Sequence, residues 1–110
     1  MPRNKIPRFV SGYPMSSALV PEDRVPTGEI LLPVEGVEAI RLSDFEKLDQ
    51  ATAADIMGVS RQTYGRILGE ARAIIADALI TNKTLRIGGG VYEMRGGQGQ
   101  CRRRRRCGRR

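Results

Sequence analysis

Gln50-Ala51-Thr52-Ala53-Ala54-Asp55-Ile56-Met57-Gly58-Val59-Ser60-Arg61-Gln62-Thr63-Tyr64-Gly65-Arg66-Ile67 is the stretch on which the fold turns. Gly58 marks its middle, because glycine accepts the left-handed conformation that ends a helix. Asp49, just before the stretch, is placed to cap a short helix over residues 50–57, its carboxylate accepting orphan backbone N–H bonds. Ser60 is placed to cap the next helix in the same way. Two helices crossing at nearly a right angle over a tight turn need small residues at the crossing and a plug in the gap. Ala54 is the small residue, Val59 the plug, and Ile56 or Met57 fills the shared core with Tyr64 and Ile67. The spacing predicts a helix-turn-helix.

Downstream, the second helix of the pair continues to Asn82. At about 100° per residue, Tyr64, Ile67, Leu68, Ala71, Ile74, Ile75, Ala78 and Leu79 fall on one face, and Gln62, Gly65, Arg66, Gly69 and Ala73 on the opposite one. Thr84-Leu85-Arg86-Ile87 and Val91-Tyr92-Glu93-Met94, around Gly88-Gly89-Gly90, read as a small hairpin, which needs a surface to lie on. The apolar side chains of residues 30–34 are the candidate surface.

Upstream, a first helix is expected over 37–48, with Val37, Ile40, Phe45 and Leu48 on one arc and Leu42 outside it. Glu35 puts negative charge near its N-terminus. Glu29-Ile30-Leu31-Leu32-Pro33-Val34 reads as a short strand that Pro33 confines to a sheet edge. All six prolines fall within residues 1–35, and the first 28 residues read as an extended, loosely packed arm. The expected class is mainly α: a three-helix helix-turn-helix core with a few short strands. It divides into an arm over 1–28, the helix-turn-helix domain over 29–94 and a disordered basic tail over 95–110.

The exposed face of the second helix carries the functional reading. In a helix-turn-helix that helix enters the major groove and its N-terminal residues reach base edges. Here they are Arg61, Gln62, Thr63 and Arg66, following Ser60. Glutamine bonds adenine in bidentate fashion and arginine guanine. Arg61 serves equally well as a phosphate clamp. No acid occurs from Ser60 to Gly69. Gly65 and Gly69 each cost about 1 kcal/mol relative to alanine inside a helix. That cost makes sense where a phosphate backbone approaches closely; the plainer reading is that the two glycines are merely tolerated. Tyr64 reads as a core aromatic with its hydroxyl at the rim. The plain alternative to DNA binding is a helical pair used for packing or for contact with protein.

The net charge of +7 is local. Residues 93–110 hold eight arginines against Glu93, and the rest of the chain balances at eleven basic and eleven acidic residues. Arg102, Arg103, Arg104, Arg105 and Arg106 can neutralise phosphates and release counterions, giving affinity without sequence preference. RNA would satisfy the same arginines, and a solvated tail without a partner is the bland alternative. Cys101 and Cys107 are separated by five residues in a chain without histidine or any other cysteine, so no complete intrachain zinc site is expected. Neighbouring arginines favour their thiolates, which makes redox sensing a further reading. Arg3, Lys5 and Arg8 at the N-terminus read either as phosphate or minor-groove contacts or as a free end.

Val37–Asp44, Met57–Arg72, Ala76–Leu79 and Lys83–Gly90 together resemble domain-of-unknown-function family 134. These are small prokaryotic proteins, predicted to bind DNA, whose helix-turn-helix is similar to region four of sigma factors. The resemblance covers about residues 29–92, and it implies DNA binding and transcriptional regulation. Relatives often carry a cysteine in the basic N-terminal stretch, where this chain has Asn4, Lys5, Ile6 and Arg8, which speaks against a metal role for that arm.

The expected function is therefore sequence-specific binding of double-stranded DNA, with RNA or RNA polymerase as alternative partners of the same helices. No enzyme is expected: histidine, a phosphate-binding loop with lysine and a complete metal set are all missing, and Gly88-Gly89-Gly90 lacks the strand-to-helix context of a nucleotide loop. No cofactor and no metal are expected. No apolar run reaches membrane-spanning length, and the first residues lack a secretory signal, so a cytoplasmic location is expected. The sequence leaves oligomeric state open.

Overall fold

In the computed structural model, residues 7–12, 17–90 and 92–94 are described. Strands β1 (Arg8–Val10), β2 (Ala18–Leu19) and β3 (Glu29–Leu32) precede helix α1 (Val34–Ile40), which runs into a π-helical turn over Arg41–Phe45. Helices α2 (Gln50–Met57) and α3 (Arg61–Thr81) follow, then strands β4 (Thr84–Ile87) and β5 (Tyr92–Met94). The fold is mainly α, with the strands in two small sheets.

Parallel pairing of β3 with β4 frames the molecule. Ile30 stands opposite Leu85 and Leu32 opposite Ile87. Parallel neighbours need a long crossover, and all three helices lie between these two strands. β2 pairs antiparallel on the other side of β4, so β3 is an edge strand, as Pro33 requires.

The expected hairpin does not form. β4 belongs to the three-stranded sheet, whereas β5 pairs in parallel with β1, Arg8 opposite Tyr92. The glycines between them do not make a tight turn. Gly88 donates its N–H to the Leu32 carbonyl at 3.1 Å, and Gly89 accepts from the Val34 N–H at 3.2 Å, extending the contact with β3 and α1. Gly90 has a φ of +94°, and a β-carbon there would lie 2.1 Å from a carboxylate oxygen of Glu35. The chain therefore leaves β4 flat against the start of α1 and cannot fold back on itself.

Within the N-terminal stretch, the short strand β1 is packed rather than loose, while most of residues 17–28 are exposed. Arg8 and Val10 are buried, and β1 packs beside α1 and α2.

The core lies along α3. At its N-terminal half, Tyr64, Ile67 and Leu68 pack with Ala39, Leu42, Ala53, Ala54 and Met57. At its C-terminal half, Ala71 and Ala78 pack with Leu32 and Leu85, and Ile40 touches both groups. α1 approaches α3 closely at Gly36, whose β-carbon would lie 3.2 Å from that of Ala71.

Three apolar residues depart from the periodic pattern. Phe45 is 78% exposed, while Leu42 is buried. The cause is the π turn: the Glu46 N–H reaches back five residues to the Arg41 carbonyl at 2.8 Å, and the extra residue rotates Phe45 off the buried arc. Leu79, near the C-terminal end of α3, is also 78% exposed. Among the described residues no helix is long and apolar enough to cross a membrane. The tail over 95–110, including Cys101 and Cys107, lies outside the described residues, as do Arg3 and Lys5.

Candidate nucleic-acid interface

The geometry of the helix pair is set by three local devices. The Asp49 carboxylate accepts the Thr52 N–H at 2.7 Å, fixing where α2 begins. Gly58 then ends α2 with a φ of +71°, and the Val59 N–H returns to the Ala54 carbonyl at 3.0 Å. A β-carbon at Gly58 would sit 2.7 Å from the Phe9 ring, so β1 presses directly on the turn. Ser60 starts α3: its Oγ accepts the Thr63 N–H and donates to Thr63 Oγ1, both at 3.0 Å.

Packing then fixes the rotation of α3. Met57 and Tyr64 are fully buried, Ala53 and Ala54 fill the crossing, and Val59 is half-buried against the same cluster. Met57, not the exposed Ile56, is the residue that enters the core. The Tyr64 hydroxyl is not at the rim. It donates to the Ala39 carbonyl at 2.9 Å and bonds the Ser43 hydroxyl. Burial pushes the Tyr64 phenol above its ordinary pKa, only partly offset by the Ser43 bond.

With those residues turned inward, Ser60, Arg61, Gln62, Arg66 and Gly69 are exposed. Thr63 and Gly65 are half-buried, and the Thr63 hydroxyl is already engaged by Ser60. The structure thus brings Gln62 and Arg66 together, one turn apart on the open side, and gives Ser60 and Thr63 a structural task. Gly65 faces Gln50 of α2, whose amide oxygen would lie 3.5 Å from a β-carbon there, an ordinary contact. At Gly69 a β-carbon would meet nothing within 4 Å. The protein's own packing requires neither glycine.

The charges divide in a telling way. Arg41 pairs with Glu38 and Glu46, Arg72 with Asp44, Arg86 with Glu29 and Lys83 with Asp77. Arg61 and Arg66 form no ion pair among the described residues. The hydrogen bond from the Thr52 backbone is the main cause that holds the Asp49 carboxyl below its usual range, and the Arg61 charge adds a smaller pull. Arg72 holds Asp44 down in the same way, through its hydrogen bonds. No cluster of three or more metal-ligating side chains occurs among the described residues. What the surface offers is two arginines, a glutamine and a bare stripe of helix beside the positive end of its dipole.

Two contributors carry no signal in the helical pattern. Phe9 locks the turn from a strand in the proline-rich stretch, where only the short Arg8-Phe9-Val10 run hints at a strand. Gln50 lies beside Gly65, where periodicity says nothing about which neighbour a glycine meets.

Comparison with known proteins places the chain in a family. A family profile described as "Protein of unknown function DUF134" matches residues 1–95. A UPF0251 protein of Ruminiclostridium cellulolyticum is 44% identical over 103 residues, 94% of this chain and 80% of its own length. A UPF0251 protein of Moorella thermoacetica is 45% identical over 112 residues, covering 98% and 72%. One from Syntrophobacter fumaroxidans is 47% identical over 92 residues, and there the match takes in 82% of this chain but 59% of the relative. No solved structure matches the chain. With a profile match running from the first strand to the last, the chain belongs to the DUF134 family of proteins of unknown function.

Proposed function

We propose that the protein binds double-stranded DNA with sequence preference and acts, in the cytoplasm, as a transcriptional regulator without catalytic activity. The observation that carries this reading is the exposed N-terminal part of α3, where Gln62, Arg61 and Arg66 stand together clear of any carboxylate ion pair among the described residues, whereas Arg41, Arg72 and Arg86 are paired. An arginine held by a carboxylate has spent its charge; these two have not. Gln62 and Arg66 present the donors and acceptors that read adenine and guanine in the major groove. Arg61, at the start of the helix, is positioned for a phosphate. Gly65 and Gly69 leave room for a close backbone. In the same arrangement α2 crosses the sugar–phosphate chain. Arg102, Arg103, Arg104, Arg105 and Arg106 supply affinity that ignores sequence.

The test is selection of bound duplexes from random DNA, followed by fluorescence anisotropy on the selected site. Arg66→Ala is expected to weaken that site by ~10-fold to 100-fold, the loss of one bidentate base contact of about 1–3 kcal/mol, and random duplex far less. Failure to enrich any duplex at low salt, with RNA or RNA polymerase retained instead, overturns the proposal.

A further inference from the structure

Beyond the DNA-facing end, α3 carries a second surface. Leu19 of β2 and Val20 and Pro21 after it, with Ile75 and Leu79 of α3 and Leu85 of β4, line an open groove of about 260 Å³. Leu19, Val20 and Leu79 are 56%, 62% and 78% exposed, and Ile80 beside them is 78% exposed. Other exposed positions of the same helix carry Arg61, Arg66, Glu70 and Arg72, so the change to leucine and isoleucine at its end is a local departure. Monomeric proteins seldom leave apolar side chains grouped in this way.

We propose that this groove is a self-association surface through which two copies of the chain pair about a two-fold axis. Charge favours a second copy over a charged partner. The only ionic residue in the wall, Lys83, has its ammonium 3.0 Å from the Asp77 carboxylate, so facing walls bring no like charges together and offer none to an acidic or basic ligand. A standard interface takes roughly 800 Å² per partner, and the exposed aliphatic side chains of Leu19, Val20 and Leu79 would form its apolar centre. The basic tail does not suit the site. Residues 95–110 contain no aliphatic or aromatic side chain.

Pairing here leaves the N-terminal end of α3 open. From Leu79 to Gln62 the helix rises about 26 Å. To reach successive major grooves the pair would have to set its two Gln62 side chains roughly 34 Å apart, one turn of duplex. This spacing, unlike the pairing itself, rests on the DNA-binding reading.

Sedimentation equilibrium of the full chain tests the pairing, together with hydrogen exchange at two protein concentrations. The expected result is a species of twice the 12.2 kDa chain mass. Dilution should release protection at residues 19–21 and 75–85 but not at 50–66. Leu79→Glu is expected to raise the dimer Kd at least tenfold with unchanged helical circular dichroism, and Leu79→Gln to raise it less. A wild-type chain that stays monomeric at high micromolar concentration overturns the proposal, as does concentration-dependent protection confined elsewhere or a dimer indifferent to Leu79→Glu. A monomer that still selects a duplex defeats the pairing and spares the DNA reading; a dimer that selects none does the reverse.

Discussion

Two glycines in the helix pair look alike in sequence and differ in what the fold asks of them. Gly58 has a φ of +71° and the Phe9 ring against its α-carbon, so any side chain there is strained twice. Gly69 sits in regular helix with nothing within 4 Å of a would-be β-carbon. Gly58→Ala should therefore destabilise the protein by more than the ~1 kcal/mol that φ > 0 alone costs. Gly69→Ala should stabilise it by up to about 1 kcal/mol, because alanine is the better helix former. Urea unfolding followed by circular dichroism measures both. If a phosphate chain passes close over Gly69, the same stabilised variant binds DNA more weakly. A Gly69→Ala protein that is more stable and binds as well as wild type would assign the glycine to tolerance and remove one support for the docked geometry.

Elements were legible where one side chain decides the local conformation. Asp49, Gly58, Ser60 and Asn82 each mark a helix end, and each sits at one, Asn82 with a φ of +64°. They act on backbone groups within a few residues, so sequence contains the whole cause. Phe45 and the hairpin were misread because their causes are elsewhere. The π turn coincides with the Tyr64 hydroxyl reaching the Ala39 carbonyl and with Arg41 bridging Glu38 and Glu46. The partner of Tyr92 is Arg8, at the other end of the chain. At the site, the exposed pair Gln62 and Arg66 followed from helical period alone, whereas the engaged Thr63 hydroxyl and the pressing Phe9 ring needed three dimensions. The caps also set a pH dependence. Asp49 is lowered chiefly by its bond from the Thr52 backbone, Asp44 by Arg72 and Asp77 by Lys83. A carboxyl whose folded pKa lies below its unfolded value of about 3.9 stabilises fully above that value, and the contribution vanishes as pH falls through the lower, folded pKa. Melting temperature should thus be flat near neutrality and fall only in acid, below about pH 4. Asp49→Asn keeps a capping oxygen and should flatten part of the acid decline, as thermal melts across that range would reveal.

At the scale of the whole molecule, charge and shape are kept apart. Residues 1–92 hold equal numbers of basic and acidic residues, so the body that positions Gln62 and Arg66 has no net attraction for a polyanion. The eight arginines beyond Met94 hold the whole imbalance. If the body selects and the tail holds, the two contributions separate under salt. Each phosphate neutralised contributes about −0.9 to the slope of log K against log salt on duplex DNA. A chain ending at Met94 loses eight positive charges, and its slope should shrink by up to ~7, with random-duplex affinity falling steeply at low salt. Its preference for a selected site over random DNA should stay within a few-fold of the full chain's, because base contacts are made by α3. Arg66→Ala should do the opposite: the slope changes by ~1 or less, and the preference drops. Anisotropy titrations of both variants at four or five salt concentrations distinguish these patterns. Loss of preference on removing the tail would mean that the arginines do more than neutralise phosphate, and that the exposed face of α3 does not read bases by itself.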